Sequence, residues 1–229
     1  MPKPEGPAGQ DWPAHFVREE ARYRDGESRV DSGGEASDPD SRQRQLTRLG
    51  NAATGAGLAL LMQGRREEAA RWLTLAAERY REGFPDAPPG SWGRPIGAVK
   101  VLVLAGDWDG AEDAARWALE AGAAEAESPI GRYAAALAEL VLGRDAEARE
   151  HADAIRTHPE FPHDVGDALA FIAAQDVAGY VTAVESVLES FETREEYLED
   201  IPVADTVLVL QALAARSGMA AELSSPLLP

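Results

Sequence analysis

Four side chains of the kinds that bind metal ions lie close together in one short segment. They are two histidines and two carboxylates: His158, His163, Asp164 and Asp167. Two imidazoles and two carboxylates can in principle complete a zinc site. However, the prolines between the two histidines hold the segment extended, and the spacing matches no known zinc signature. We therefore favour a polar connector in which Asp164 caps the next helix, and we predict no metal and no cofactor.

A second set of residues has the chemistry of a binding site for a carboxylate. Its aromatic and basic side chains are Trp92, Arg94, Lys100, Arg132 and Tyr133. The first two belong to a proline- and glycine-rich connector, residues 84–95, and long loops in compact domains are often functional. In a strongly acidic chain the three cations would form a local basic spot. The alternative is intramolecular: Trp92 packs the connector, and the cations pair with neighbouring acids.

Motifs for catalysis are absent from the sequence. There is no cysteine, which excludes disulfides, thiolate metal sites and cysteine nucleophiles. No glycine-rich phosphate loop, G-x-S-x-G or H-E-x-x-H motif occurs, and carboxylates are too abundant for an acidic pair to be informative. We therefore predict a protein that is not an enzyme. An enzyme with an unrecognised site in a groove is the least favoured alternative.

The charge balance restricts the partners of the protein. Forty acidic residues face 22 basic ones, which gives a net charge of −18, and only Lys3 and Lys100 are lysines. Such a surface repels phosphate backbones, so we predict no nucleic-acid partner and favour a basic or cationic protein or peptide. No apolar run approaches the ~20 residues of a membrane span, and the first residues lack the pattern of a signal peptide. We expect no membrane association and a cytoplasmic location.

The same composition resembles that of haloarchaeal proteins, in which abundant acidic residues accompany scarce lysine. The resemblance implies a halophilic protein that needs high salt for full stability. The alternative is a genome rich in G and C, which favours arginine over lysine. That alternative explains the missing lysine but does not explain the excess of acid.

Internal repetition predicts the elements that position these residues. A glycine is followed five residues later by an alanine three times: at Gly64 and Ala69, at Gly106 and Ala111, and at Gly143 and Ala148. An apolar helix precedes each glycine. We expect each glycine to end that helix in the left-handed conformation, and each alanine to let a second helix approach the first closely. Pro95 and Pro129 are predicted to open two of the first helices.

The segment that begins at Gly57 resembles a tetratricopeptide repeat. The small and large packing positions of that family are occupied by Gly57, Leu60, Gly64, Ala69, Leu73 and Ala76. In the second unit Val99 stands where the first has Gly57, and in the third Glu139 stands at a position that is usually apolar. In the fourth, Gln175 and Tyr180 replace the glycine and the alanine.

The resemblance covers roughly residues 44–192. It implies an all-α fold: a right-handed stack of about four antiparallel helix pairs whose concave face binds a peptide or a protein. In this family the first helices of the pairs line the groove. The basic spot lies on such helices, so the resemblance implies a non-enzymatic interaction scaffold with the partner bound there.

The two ends of the chain differ from the repeats. Residues 1–42 form an acidic, Pro- and Gly-rich arm that is predicted to be partly flexible, ahead of a repeat domain at residues 43–229. Within the arm, the aromatic residues Trp12, Phe16 and Tyr23 are spaced for one face of a short helix. Two alternatives remain open: the helix docks by this aromatic face, or the whole arm is mobile.

The last helix is predicted to cap the stack, opening at Pro202 and Val203 and ending at Gly218. Its end and the Ser-Pro-Leu-Leu-Pro tail resemble a family of all-helical immunity proteins from bacterial polymorphic-toxin systems. This second resemblance implies the alternative function, neutralisation of a toxin.

Overall fold

The fold is that of a computed structural model, which describes residues 10–32 and 38–229. Two stretches of the predicted arm, residues 1–9 and 33–37, lie outside these ranges. The described residues contain no β-strand, which confirms the all-α class, and none of their helices is long and apolar enough to cross a membrane. A short 3-10 turn, Leu198–Asp200, precedes the last helix. The α-helices are α1 (Trp12–Asp31), α2 (Pro39–Met62), α3 (Arg66–Glu82), α4 (Gly93–Ala105), α5 (Trp108–Glu120), α6 (Pro129–Val141), α7 (Asp145–Arg156), α8 (His163–Ala173), α9 (Val177–Glu192) and α10 (Asp205–Arg216).

The described chain divides into two compact units, each made of separate segments. The first unit contains the described residues of Met1–Gly106, together with Glu195–Val203 and Ser224–Pro229. The second contains Asp107–Arg194 and Ala204–Leu223. Helices α1 to α4 and the 3-10 turn therefore belong to the first unit, and helices α5 to α10 to the second.

In the first unit, α2 and α3 pack closely, and the short turn between them makes them antiparallel. Gly57 of α2 faces α3: a methyl group placed on it would lie 2.6 Å from Leu73 Cγ and 3.4 Å from the backbone oxygen of Ala69. Leu73 and Ala69 are both completely buried. Gly64, in the turn, has φ +74°, the left-handed conformation predicted for it. The first glycine–alanine pair is therefore confirmed.

Helix α1 docks on this pair of helices. It begins after Asp11, whose side chain accepts a hydrogen bond of 3.0 Å from a backbone amide of the first turn. Phe16 and Tyr23 both place their rings edge-on against Trp72 of α3, with ring centroids 6.0 and 5.4 Å apart. The sequence left open whether the aromatic residues dock or belong to a mobile arm. In the structure they lie on a helix that docks on α3. The division of the chain at residue 42 into an arm and a repeat domain stays a prediction.

The second unit continues the pattern of consecutive packed helices from α5 to α9. Helices α5 and α9 begin after aspartates whose side chains cap the first turn, Asp107 and Asp176, and α6 begins after Ser128 in the same way. Between α6 and α7, Gly143 has φ +69°. At the corresponding place between α8 and α9, Gln175 has φ +54°.

The predicted register of the second helices is confirmed. The three alanines are completely buried: Ala69, Ala111 and Ala148. The positions seven residues further on are buried as well: Ala76, Ala118 and Ile155. The positions two residues after each alanine are exposed: Arg71, Asp113 and Glu150. Gly106 has φ +74°, as predicted, and Tyr180, which replaces the alanine in the fourth pair, is completely buried.

Helix α10 starts later than predicted. It begins at Asp205: Pro202 and Val203, which were expected to open it, lie ahead of the helix in a buried, irregular segment that belongs to the first unit. Its end is as predicted, with Gly218 at φ +72° just beyond the last turn. Arg216 fixes that end within the second unit: its guanidinium lies 4.5 Å from the ring centroid of Trp108 and donates a 2.8 Å hydrogen bond to the backbone oxygen of Val141.

Candidate functional site

The histidine–aspartate cluster is held by contacts within the protein. His163 Nδ1 lies 2.6 Å from the backbone oxygen of Arg156, and Asp167 forms an ion pair with the same arginine at 2.6 Å. Across the described residues, no three His, Cys, Asp or Glu side chains are grouped so that they could hold an ion. Helix α8 begins at His163 with the preceding proline as its N-cap. The prediction that Asp164 is the cap is therefore wrong: its carboxylate lies inside the first turn, where it faces the partial positive charge of the helix terminus.

Three of the predicted partner-binding residues lie on α4 or at its start, in the first unit. Trp92 is the N-cap residue and Lys100 lies two turns further on, and both are partly exposed. Arg94 is only 9 % exposed. Its Nη2 donates a hydrogen bond to the side-chain oxygen of Gln43 on α2, and its Nε has no hydrogen-bond partner in the described part of the chain. Burial lowers the pKa of Arg94, because the guanidinium is removed from water.

The charge of Arg94 is compensated only indirectly. Gln43 Nε2 donates to Asp40 Oδ1 at 3.0 Å, and the other oxygen of Asp40 pairs with Arg44. The neutral side-chain amide of Gln43 therefore lies between the buried guanidinium of Arg94 and the carboxylate of Asp40. Buried cations are normally paired directly, so Arg94 holds the start of α4 against α2 at an electrostatic cost.

The other two predicted residues lie on α6, in the second unit. Arg132 is partly exposed. Tyr133 is buried, and its ring centroid lies 5.4 Å from that of Phe161. The predicted set is therefore divided between the two units and differs in accessibility. The binding role of all five residues stays a prediction.

A buried polar network in the first unit was missed by sequence reasoning. Its centre is Glu19 of α1, which is completely buried and accepts hydrogen bonds from Arg18 Nε at 2.7 Å and from Arg22 Nη1 at 2.8 Å. Arg18 Nη2 also donates to the backbone oxygen of Glu199 at 2.6 Å, and Arg22 pairs with the Glu199 carboxylate. Gly55 of α2 leaves room for this arrangement, since a methyl group there would lie 2.9 Å from Glu19 Cγ.

The network continues into α2 and α3. Asn51 Nδ2 donates to Glu199 Oε1 at 3.1 Å, and Asn51 Oδ1 accepts from the Tyr80 hydroxyl at 2.9 Å. Thr54 Oγ1 lies 3.1 Å from the same hydroxyl. Glu199 and Asp200 both have left-handed backbones, with φ of 56° and 54°. Such strain persists only where surrounding contacts offset it, and the contacts of Glu199 hold the 3-10 turn on α1 and α2.

One signal for this network is present in the sequence. Phe16, Glu19 and Tyr23 are three and four residues apart, so a helix places Glu19 on the aromatic face that docks. A carboxylate on a buried face needs cationic partners, and Arg18 and Arg22 are adjacent to it. The partnership with Glu199 has no local signal, since 181 residues separate it from Arg18.

The class that the described residues define is an all-α protein in which consecutive helices pack within each of two compact units. No family model matches the chain, and neither a curated protein nor a solved structure is significantly similar to it. Its function is therefore inferred from the chemistry of its own side chains.

Proposed function

We propose that this protein is a non-enzymatic scaffold that binds a peptide or protein partner on the concave face of a right-handed stack of tetratricopeptide-like helix pairs. The observation that carries the proposal is the register common to three pairs, a left-handed glycine followed five residues later by a completely buried alanine: Gly64 and Ala69, Gly106 and Ala111, Gly143 and Ala148. Repeats of this kind bury their apolar faces against their neighbours and present an extended surface to a ligand. About four pairs, with α10 as the cap, would form the stack.

The charge of the protein favours a basic or cationic partner in the cytoplasm. A net charge of −18 attracts cationic surfaces over a distance set by the salt concentration and repels phosphate backbones. Nucleic acids are for this reason not proposed as partners. Within such a field, the cations of the predicted binding surface would select a partner that also carries a carboxylate at a defined point.

The predicted binding residues contribute in two ways. In the first unit, Trp92 and Lys100 are partly exposed and would contact the partner, whereas buried Arg94 would fix the start of α4 beneath them. In the second unit, Arg132 is partly exposed and would contact the partner, whereas Tyr133 is buried. Tryptophan and arginine, the residue types of Trp92 and Arg132, are enriched among the hot spots of protein interfaces.

The test is affinity capture from the native host at its native salt concentration, followed by binding measurements with the purified partner. The variants are Trp92→Ala, Lys100→Gln and Arg132→Gln, and the matched control is Arg71→Gln, an exposed arginine of α3 outside the predicted surface. We expect the control to bind like the wild type, and at least one surface variant to bind roughly tenfold more weakly or worse. A partner whose affinity is the same for all three surface variants would contradict the site. Capture of a toxin that the protein neutralises would instead support the immunity-protein alternative.

A further inference from the structure

An arginine-lined pocket lies between α1 and α2 in the first unit. Its volume is about 140 Å³, and its polar wall contains Arg22, Asp25, Arg29, Gln45 and Arg48. Three guanidinium groups around one small cavity are unexpected in a protein with a net charge of −18.

The packing of the two helices creates this pocket. Gly26 of α1 lies against Leu49 of α2, and a methyl group on Gly26 would meet Leu49 Cδ2 at 2.8 Å. The glycine therefore lets α1 approach α2 closely at this point. Leu49 and Ala52, both almost completely buried, line the cavity with apolar surface.

Two of the three guanidinium groups are already neutralised. Arg22 pairs with Glu19 at 2.8 Å and with Glu199, and Arg29 pairs with Asp25 at 2.5 Å. Arg48 is different: it is exposed, and within the described residues it forms no ion pair and no side-chain hydrogen bond. The pocket thus carries one uncompensated positive charge.

We propose that this pocket binds a single carboxylate group, which Arg48 holds by paired hydrogen bonds with the Gln45 amide as a further donor. The planar fork of a guanidinium matches the two oxygens of a carboxylate. One uncompensated cation fits a monoanion, whereas a doubly charged phosphate would leave excess negative charge beside Asp25. The proposal rests on the proposed function: the carboxylate is that of an acidic side chain in the bound peptide or protein. The rest of that ligand is neutral or cationic, since the field of the protein repels further acid.

The side-chain Nε–H resonances of arginine in the labelled full-length protein provide the test. The probe is the blocked five-residue peptide KAEAK, and the control peptide is KAQAK, which keeps both lysines but lacks the carboxylate. We expect KAEAK to shift the Arg48 resonance in a saturable manner and KAQAK to leave it unchanged. Sodium acetate should bind at the same resonance more weakly than the peptide, and inorganic phosphate should bind no more tightly than acetate. If acetate bound as tightly as KAEAK, the site would recognise a free small carboxylate. The proposal that the carboxylate belongs to a bound peptide or protein would then be overturned.

Variants separate this site from general electrostatic attraction. Arg48→Gln is expected to weaken KAEAK binding roughly 10- to 100-fold, the value of a charge-assisted hydrogen-bond pair. Arg44→Gln, an exposed arginine one turn earlier on α2 that does not line the pocket, should leave the affinity unchanged. Asp25→Asn should strengthen binding, because it releases Arg29 as a second cation. The proposal would be overturned if Arg48→Gln bound KAEAK as tightly as the wild type does. It would also be overturned if Arg44→Gln weakened KAEAK binding as much as Arg48→Gln does.

The outcome for the pocket can be distinguished from the outcome for the scaffold. If Arg48→Gln still binds the captured partner as the wild type does while the Trp92 and Lys100 variants lose it, the pocket proposal fails and the proposed function stands. If Arg48→Gln loses the captured partner while the Trp92 and Lys100 variants bind it as the wild type does, the proposed binding surface fails and the carboxylate site stands.

Discussion

Gln175, between α8 and α9, has the same left-handed backbone conformation as Gly143, between α6 and α7, with φ of 54° and 69° respectively. A residue with a Cβ atom is strained there by roughly 1–2 kcal/mol, whereas glycine is not. The turn between α8 and α9 therefore contains a local strain that the equivalent turn one pair earlier lacks.

Replacing Gln175 by glycine is expected to stabilise the protein by about 0.5–1 kcal/mol. Relief of roughly 1–2 kcal/mol of strain exceeds the roughly 0.4–1 kcal/mol that the more flexible unfolded chain costs. The hydrogen bond from Gln175 to Asp145, at 3.4 Å, is too long to change this balance. Equilibrium unfolding in urea measures the effect. The reverse change, Gly143→Gln, should destabilise the protein, and the same sign for both changes would contradict the explanation.

The buried alanines allow a test of the helix register. Ala69→Leu, Ala111→Leu and Ala148→Leu should each lower the free energy of unfolding by about 1–3 kcal/mol, because a completely buried methyl group has no space for three more carbons. The exposed controls two residues away are Arg71→Gln, Asp113→Gln and Glu150→Gln, which should stay within about ±0.5 kcal/mol. A neutral Ala111→Leu beside a disruptive Asp113→Gln would show that the register is wrong.

Glu19 is expected to be the most sensitive carboxylate of the first unit. Glu19→Ala leaves the guanidinium groups of Arg18 and Arg22 facing a buried gap, and breaking a fully buried ion pair costs roughly 3–5 kcal/mol. We expect about 2–3 kcal/mol here, because the two arginine side chains are 41 % and 46 % exposed. The control is the next residue, Glu20→Ala: its partner Arg24 is 72 % exposed, so their ion pair should contribute less than about 1 kcal/mol. Equal losses in urea unfolding would argue against the network.

Because the hydroxyl of Tyr180 is buried, we expect the protein to lose stability at alkaline pH. Burial raises the pKa of its hydroxyl to about 12, and among the described residues that hydroxyl has no hydrogen-bond partner. Its pKa in the unfolded chain is about 10. Below pH ~10 the hydroxyl is protonated in both the folded and the unfolded state, so the free energy of unfolding keeps its full value. Between pH ~10 and ~12 the unfolded chain releases a proton that the folded protein retains, so the free energy of unfolding falls by up to about 2–3 kcal/mol.

Tyr180→Phe should remove that part of the pH dependence. Near pH 7 the change should cost less than about 1 kcal/mol, since no hydrogen bond is lost. Urea unfolding of both proteins between pH 9 and ~12 provides the comparison, and the difference between them cancels the titration of all other groups. An unchanged slope in Tyr180→Phe would mean that the hydroxyl ionises as readily in the folded protein as in the unfolded chain.

The net charge of −18 predicts a strong dependence on salt. Self-repulsion of the folded protein is screened when the Debye length falls to about 3 Å near 1 M salt. The exposed ion pairs weaken under the same conditions, but each contributes less than about 1 kcal/mol. We therefore expect the melting temperature to rise steeply from low salt to molar potassium chloride, and much less in sucrose of equal osmolality. A melting temperature that is flat across this range would eliminate the halophilic hypothesis.

Local sequence was sufficient to predict the helices, their left-handed turns and the buried alanines. Each of these features depends on a few neighbouring residues: a glycine such as Gly64 accepts positive φ, and the alanine five positions later fits a close helix contact. The spacing of the aromatic residues of α1 was also evident from the sequence. The spacing alone did not decide whether this helix docks or is mobile. Gln175 was recognised at the glycine position, but its strain became apparent only from the backbone.

The tertiary structure alone determines which polar groups contact each other. A helical pattern tells which face a residue lies on, but the packing of separate segments determines what lies opposite that face. For this reason Arg94, expected at a binding surface, is buried beside Gln43, and Glu199 reaches Arg22 from the far end of the chain. Within the part of the chain that the structure describes, the same packing leaves Arg48 without an ion pair, although the chain is rich in carboxylates. The sequence shows the abundance of acidic residues, whereas the position of Arg48, a cation without an ion pair among the described residues, depends on how α1 packs on α2.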